Sequence, residues 1–333
     1  MPSDSQAPGD PSIAVVIPCF RVKKWILGVL GRIGPEIHRI YVVDDHCPEG
    51  TADLVESSCT DPRVVVLRHE RRKGVGGATL SGYRRALEDG AEILVKLDGD
   101  GQMDPEDVPR LALPVALGEA DYSKGNRFYR LSDLASMPRA RILGNSILSF
   151  LTKFSTGYWE VFDPTNGFTA LHAAVARELP LDEIAEGYFF ESDLLFRLNT
   201  IRAVVVEIPM PARYAEEESN LRIRDVAGVF LMRHLVNFGK RIFYTYYLRS
   251  FSLASIELIL GLLLVSFGTT LGALHWIAGG IRGVVATSGT VMLAALPILI
   301  GVQLLLAFLG YDMRSQPSSP LHLKLPPPAP PSE

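Results

Sequence analysis

The sequence predicts an α/β protein, a doubly wound and mostly parallel sheet with helices on both faces, followed by two helices long enough to cross a bilayer. Three observations carry this prediction. Short aliphatic runs alternate with helix-period segments through the first hundred residues, the pattern of strands joined by crossover helices. Each run halts at proline, acidic or glycine-rich residues, so ligand-binding groups collect where an open α/β sheet binds ligands, outside the carboxyl ends of its strands. Near the C-terminus, Leu258–Ile281 and Gly283–Tyr311 carry no formal charge, and each exceeds the roughly 20 residues that span hydrocarbon.

In order along the chain, residues 1–12 are rich in Pro, Ser, Gly and Asp and are expected to be disordered. Ile13–Ile17 is a first strand, halted by Pro18, and a helical pattern covers Lys24–Ile33. Arg39–Val43 is a second strand, halted by Asp44-Asp45, with a helix at Thr51–Ser58 and a third strand at Arg63–Leu67. Lys73-Gly74-Val75-Gly76-Gly77-Ala78 is neither a Walker A loop nor a dinucleotide fingerprint. It reads as a permissive entry into a helix over Ala78–Asp89. The run Ala91–Leu97 is a buried strand that delivers Asp98-Gly99-Asp100-Gly101-Gln102 to its tip.

Asp98, Asp100 and Gln102 are hard oxygen donors with glycines between them. They suit Mg²⁺ or Mn²⁺ held partly by substrate phosphates rather than by a full protein cage. An acidic turn capping the helix that starts near Pro105 would give the same letters.

A chain of 333 residues, 47% hydrophobic, has ample material for a core, and 13–222 is expected to be one catalytic domain. Residues 223–250 place Leu231, Leu235, Phe238, Ile242 and Tyr246 at helical spacing, with Arg233, Asn237 and Lys240 on another face. This is the pattern of an amphipathic juxtamembrane helix, although an ordinary core helix shares it. Two spans follow within 251–311, and Pro297 is expected to loosen the second. Arg222, Arg224, Arg233, Lys240, Arg241 and Arg249 precede the spans against one acid, Asp225, whereas the loop between the spans offers Arg282. The positive-inside rule then puts the catalytic domain and the tail in the cytoplasm. Residues 312–333, ending in a polyproline stretch, are expected to be a disordered tail. The net charge of −4 says little about partners, because the basic belt is local. Cys19, Cys47 and Cys59 have no paired spacing, which suits a reducing compartment and argues against zinc or a disulfide framework.

Further landmarks fall in a fixed order: Val16-Ile17-Pro18, Val43-Asp44-Asp45, the Asp98–Gln102 block with Asp104-Pro105, Gly125-Asn126-Arg127, Asp163-Pro164-Thr165-Asn166-Gly167-Phe168, Gly187-Tyr188-Phe189-Phe190-Glu191, and Ile208-Pro209 leading to Arg213 and Ser219-Asn220-Leu221. Taken together these resemble family 2 glycosyltransferases of the GT-A fold, in particular polyprenyl-phosphate glycosyltransferases of the dolichol-phosphate mannose synthase kind. The resemblance spans 13 to about 225, and the two-span anchor is similar to that of bacterial members.

The resemblance implies a nucleotide-sugar site formed by Pro18, Phe20, Asp44, Asp45 and Asp98, and a Mg²⁺ or Mn²⁺ site at Asp98, Asp100 and Gln102. It implies that Arg127, the Arg139-Ala140-Arg141 loop and Arg213 surround an acceptor phosphate. Asp100, Arg127 and Asp193 are then the candidate catalytic groups, with Asp193 either a base or the orienter of an arginine. The chain departs from the family at Val22, where many members carry Glu near the base, and at Asn220, where Lys is common. Gln-x-x-Arg-Trp, which processive polysaccharide synthases carry, does not occur.

The activity implied is inverting transfer of one sugar from a nucleotide sugar to a polyprenyl phosphate, undecaprenyl or dolichyl phosphate, at the cytoplasmic face of a bacterial membrane. A lipid phosphate is already anionic, so no strong base is needed. Expected partners are the donor, the lipid acceptor and the bilayer, with a homo-oligomer left open and no nucleic acid. Two alternatives are transfer to another membrane lipid or glycan hydroxyl, and a scaffold that binds nucleotide sugars without turnover.

Overall fold

The computed structural model describes residues 11–129, 139–211 and 223–326. Seven strands, β1 (Ile13–Cys19), β2 (Arg39–Asp44), β3 (Val64–Arg68), β4 (Ile93–Lys96), β5 (Tyr122–Asn126), β6 (Thr169–His172) and β7 (Val205–Pro209), form one sheet in the order β3-β2-β1-β4-β6-β5-β7. The β1–β2, β2–β3, β1–β4 and β5–β7 pairs are parallel, whereas β6 runs antiparallel to both β4 and β5. The carboxyl ends of six strands and the start of β6 therefore share one edge.

Helices cover both faces, which is why the strands read as continuous apolar runs rather than alternating ones. Alternate residues of a strand point to opposite sides. Val16, Tyr41, Val43, Leu94 and Leu171 pack with α3 (Gly74–Glu88) and α7 (Phe190–Thr200) through Leu80, Tyr83, Leu194 and Leu198. Val15, Ile17, Val42, Ile93 and Val95 pack on the other side with α1 (Ile26–Leu30) and α4 (Val108–Ala116) through Ile26, Val29, Leu111 and Val115. The domain is completed by α2 (Thr51–Ser58), α5 (Arg139–Thr156) and α6 (Ala173–Glu178).

Helix α3 begins four residues before the predicted start, because its first turn is fixed by backbone contacts. Gly77 N–H donates to the Glu186 carbonyl at 3.0 Å, and a Cβ on Gly76 would lie 2.5 Å from the Ala185 carbonyl oxygen. These glycines admit a neighbouring loop.

The chain divides into two compact units, Gly239–Gln316 and the remainder on either side of it. Helix α8 (Ile223–Phe243) contributes its first part to the larger unit. There Leu231, Met232, Leu235 and Val236 are exposed, while His234 and Asn237 are buried. His234 Nδ1 lies 2.8 Å from Ser155 Oγ, and Asn237 Nδ2 donates to Asp193 at 3.0 Å. The predicted stripe also divides, since Ile242 and Tyr246 are buried.

The smaller unit holds α9 (Leu253–Arg282) and α10 (Ser288–Arg314), both long and apolar enough to cross a membrane. Ser252 and Ser255 form a capping box at the start of α9, and Gly283, at φ +66, ends it. The pair packs through Gly261, Gly268 and Gly301, where a Cβ would press on the facing backbone. Helix α10 is continuous through Pro297. Within this unit Arg241 binds Asp312 bidentately, at 2.6 and 3.0 Å, and the Tyr246 hydroxyl donates to the same carboxylate at 2.7 Å.

The disordered tail expected over 312–333 is corrected as far as the structure describes it. The second helix runs on to Arg314, and residues 317–326 belong to the larger unit. There the Leu321 and His322 N–H groups and the His322 ring bind the buried Asp121 carboxylate at 2.6–2.9 Å. Leu321 and Leu325 add to the core. Burial of two leucines and satisfaction of Asp121 outweigh the prolines' preference for an extended, unpaired chain. Of the expected disordered N-terminus, residues 1–10 lie outside the described residues.

Candidate active site

The shared sheet edge collects Pro18, Phe20, Asp44, Asp45, Asp98, Asp100, Gln102 and Arg127 of the groups predicted from sequence. At the end of β1, Pro18 is buried and Phe20 half-buried. The Arg72 guanidinium carbon sits 3.8 Å from the centroid of the Phe20 ring, a cation–π contact. Arg21 follows with a left-handed backbone, φ +59, and its N–H meets Cys47 Sγ.

Asp44 and Asp45 are almost fully buried and bound to backbone. Asp44 accepts from the Cys47 and Ala52 N–H groups, at 2.7 and 2.9 Å, and so caps α2. Asp45 accepts from the Lys73 and Gly74 N–H groups and from the His69 ring, and His69 continues to Ser81. The two acids stitch the loops after β1, β2 and β3 into one wall.

The Asp98–Gln102 block occupies the tip of β4. Asp98 accepts from Lys96 Nζ at 2.7 Å, and Asp100 accepts from the Gln102 N–H at 2.9 Å. Gly99 fits closely against Ile17 and Val22, and Gly101 turns at φ +76. The helix-cap role is filled by Asp104, whose carboxylate accepts from Glu106 N–H and pairs with Arg32. The carboxylates of Asp98 and Asp100 are thus not the caps of the following helix.

Arg127 follows β5 directly, and its Nε and Nη2 meet the two carboxylate oxygens of Asp163 at 2.8 and 3.0 Å. Asp163 is fully buried, and although burial alone would raise it, Arg127 and Lys124 hold its carboxyl below the usual range. Glu207 on β7 accepts from the Phe162 and Asp163 N–H groups, and burial raises its own carboxyl. Arg127, Asp104, Asn166 and Met210 line a common cavity of about 30 Å³, and Gln102 is the residue of the Asp98–Gln102 block that reaches it.

Two lysines escaped the sequence reading. Lys96 on β4 is buried between Asp98 and Glu191, at 2.7 and 3.3 Å. Burial would pull its ammonium down, but those two carboxylates more than offset that and raise it above its ordinary value. Lys124 on β5 donates to the Asp163 and Asn166 carbonyls, at 2.5 and 3.2 Å, and burial pushes it down to about 8. For Lys96 the available signal was a charge at the end of an otherwise apolar strand, whereas β5, Tyr-Ser-Lys-Gly-Asn, offered none for Lys124.

Asp193 lies near the start of α7, bound to Arg197, Asn237 and the Ala185 N–H. Arg139 and Arg141 fall in the first turn of α5, so the expected loop is corrected to helix; that segment continues the regular pattern to Thr156. Arg213 and the Ser219–Leu221 segment lie outside the described residues.

Among the described residues no three His, Cys, Asp or Glu side chains converge as a metal cage. Two adjacent carboxylates and an amide oxygen do fit a hard divalent ion whose remaining ligands are phosphate oxygens.

Comparison with known proteins bears on the family and the fold. The glycosyl transferase family 2 model matches residues 14–179. Undecaprenyl-phosphate mannosyltransferase of Micrococcus luteus is 32% identical over 60% of this chain and 82% of its own length. UDP-N-acetylglucosamine–dolichyl-phosphate N-acetylglucosaminyltransferase of Methanococcus voltae is 28% identical over 62% of this chain and 88% of its own. Among solved structures, glucosyl-3-phosphoglycerate synthase from Mycobacterium tuberculosis, in complex with Mn²⁺, UDP-glucose and phosphoglyceric acid, shares the fold at a TM-score of 0.51 and 19% identity, over 69% of this chain and 79% of that one. The chain is a glycosyltransferase with the GT-A fold and belongs to glycosyl transferase family 2.

Proposed function

We propose that this glycosyltransferase moves one sugar from a nucleotide sugar to a polyprenyl phosphate, with inversion, at the cytoplasmic face of a membrane that its two apolar helices cross. The observation that carries the reading is the shared sheet edge, which bears the Asp98–Gln102 block at the tip of β4 and Arg127 directly after β5, with Gln102 and Arg127 lining one cavity. Donor diphosphate at the acidic block and acceptor phosphate at Arg127 would flank a reacting carbon, as a direct displacement requires.

Asp98, Asp100 and Gln102 are the residues that would hold a divalent ion, and that ion would neutralise the departing nucleoside diphosphate. Its use is supported by the Mn²⁺ found with UDP-glucose in the M. tuberculosis synthase of like fold. Phe20, backed by Arg72, and the wall built by Asp44 and Asp45 border the nucleotide. Arg127 is held by Asp163 along its Nε–Nη2 edge and is 28% exposed toward the cavity. A guanidinium fixed in this way presents a defined orientation to a phosphate. A phosphate nucleophile needs no proton removed, which agrees with an Asp193 engaged by Arg197 and Asn237.

The exposed apolar face of α8 at Leu231, Met232, Leu235 and Val236 supports a domain lying on a bilayer. The basic residues before the first span support the cytoplasmic side. The names of the relatives support the acceptor class. Incubating the purified protein with a panel of nucleotide sugars and undecaprenyl phosphate, and weighing the products, tests the reading: one added hexose on the lipid phosphate is expected. Turnover confined to glycan or lipid hydroxyls would replace the acceptor, and binding without turnover would make the chain a scaffold.

A further inference from the structure

We propose that Lys96 and Lys124 are a pair of positioning residues, Lys96 holding the donor side of the crevice and Lys124 the acceptor side. The inference rests on the function proposed above. Strand β6 lies between β4 and β5, and Thr169 is the register partner of Lys96 on one side and of Lys124 on the other. The two ammonium groups thus flank a single residue, in one row across the sheet, beneath the loop 163–167.

Each lysine holds one end of that loop and one functional group. Lys96 donates to the Gly167 carbonyl at 3.3 Å and to Asp98 at 2.7 Å. Lys124 donates to the Asp163 and Asn166 carbonyls, and the Asp163 carboxylate in turn grips Arg127. The chain of contacts therefore runs from Asp98 through Lys96, the 163–167 loop and Lys124 to Asp163 and Arg127. Gly167 leaves no slack in it, because a Cβ there would meet both Lys96 Nζ and Asp98.

Burial supports the same assignment. Both side chains are at most 1% exposed, and a buried ammonium is costly wherever an aliphatic side chain would fill the strand. Lys124 has backbone carbonyls as its direct acceptors, and its depressed value of about 8 records that cost. A lysine serving packing alone would be replaced by methionine at little loss. One serving to hold a loop between two reacting sides would not.

The two lysines act on different sides, which gives the test its contrast. Full-length Lys96→Met and Lys124→Met proteins in nanodiscs are compared with wild type for Mn²⁺-dependent binding of UDP and GDP by calorimetry, and for kcat and KM with undecaprenyl phosphate. Lys96→Met is expected to weaken nucleotide binding by about tenfold while acceptor KM moves by less than about threefold, and Lys124→Met is expected to do the reverse. Lys96→Gln and Lys124→Gln, which keep a donor in place, are expected to recover part of each loss, and they carry the comparison if a methionine variant does not fold. Equal loss on both sides in the folded variants, or no loss in either, overturns the pair. An inactive wild type would instead strike the function proposed above, whereas an active wild type whose variants fail to split strikes the lysines alone.

Discussion

Asp163→Asn keeps the shape of a fully buried side chain and deletes its charge. In the native protein the carboxylate accepts from Arg127 at Nε, Nη2 and the backbone N–H, at 2.8, 3.0 and 3.2 Å, with Lys124 close by. An amide offers one acceptor oxygen and turns an NH₂ group toward a cation. Breaking a buried ion pair from one side costs about 3–5 kcal/mol. Arg127 is 28% exposed, so water recovers part of that and the expected loss is about 2–3 kcal/mol. For a unit of this size each kcal/mol moves the midpoint by about 2–4 °C, so the melt should fall by roughly 4–12 °C. Intrinsic fluorescence in detergent, at one scan rate for both proteins, reads this directly. Acceptor KM should rise in the same variant, because the guanidinium loses its support. A midpoint within about 1 °C of wild type would refute the pairing as a source of stability.

Asp100→Asn should melt within about 2 °C of wild type yet lose most Mn²⁺-dependent turnover, since it removes a half-exposed ligand charge; near-normal activity with Mg²⁺ or Mn²⁺ removes Asp100 from the metal site. His234 and His172 are each pushed down to about 4, His234 by burial and His172 by burial and then His322. Their folded-state values lie below the unfolded one, so the stability they confer as neutral groups is present above about pH 6.5 and is lost as pH falls toward 4. Melts from pH 7 to 4.5 should show that decline, and His234→Gln should flatten part of it; an unchanged slope speaks against a buried neutral His234. Deleting residues 317–333 removes three donors from Asp121 and should cost about 1–3 kcal/mol in the melt of the larger unit; an unaltered melt would mean that the tail does not dock.

The parallel half of the sheet is legible in the chain because each strand is an unbroken aliphatic run ended by Pro18, Asp44 or Asp98. The site is legible to the same extent, since those ends are where its groups sit. Strand β6 is not, because four residues, Thr169–His172, carry no periodicity long enough to show direction. The partners of Asp44 and Asp45 are backbone N–H groups and the His69 ring, which no local pattern announces, whereas Asp193 pairs with Arg197 at i,i+4 and with the distant Asn237. Lys96 and Lys124 are masked for a related reason: a lysine in a strand usually faces water, and only the crossing of β6 between β4 and β5 puts both inside. The docked tail is hidden in the sequence because proline-rich composition favours an extended chain, whereas Leu321 and Leu325, partly buried against the core, help to dock it.

The central claim is a lipid phosphate acceptor held opposite the nucleotide diphosphate. Its most direct test offers wild-type protein undecaprenyl phosphate and undecaprenol side by side, with the same nucleotide sugar and Mn²⁺, and weighs the products. Glycosylated undecaprenyl phosphate is expected, its formation abolished by chelating the metal, with no product from undecaprenol. Efficient glycosylation of undecaprenol, or transfer to the phosphate that persists without a divalent ion, would contradict it.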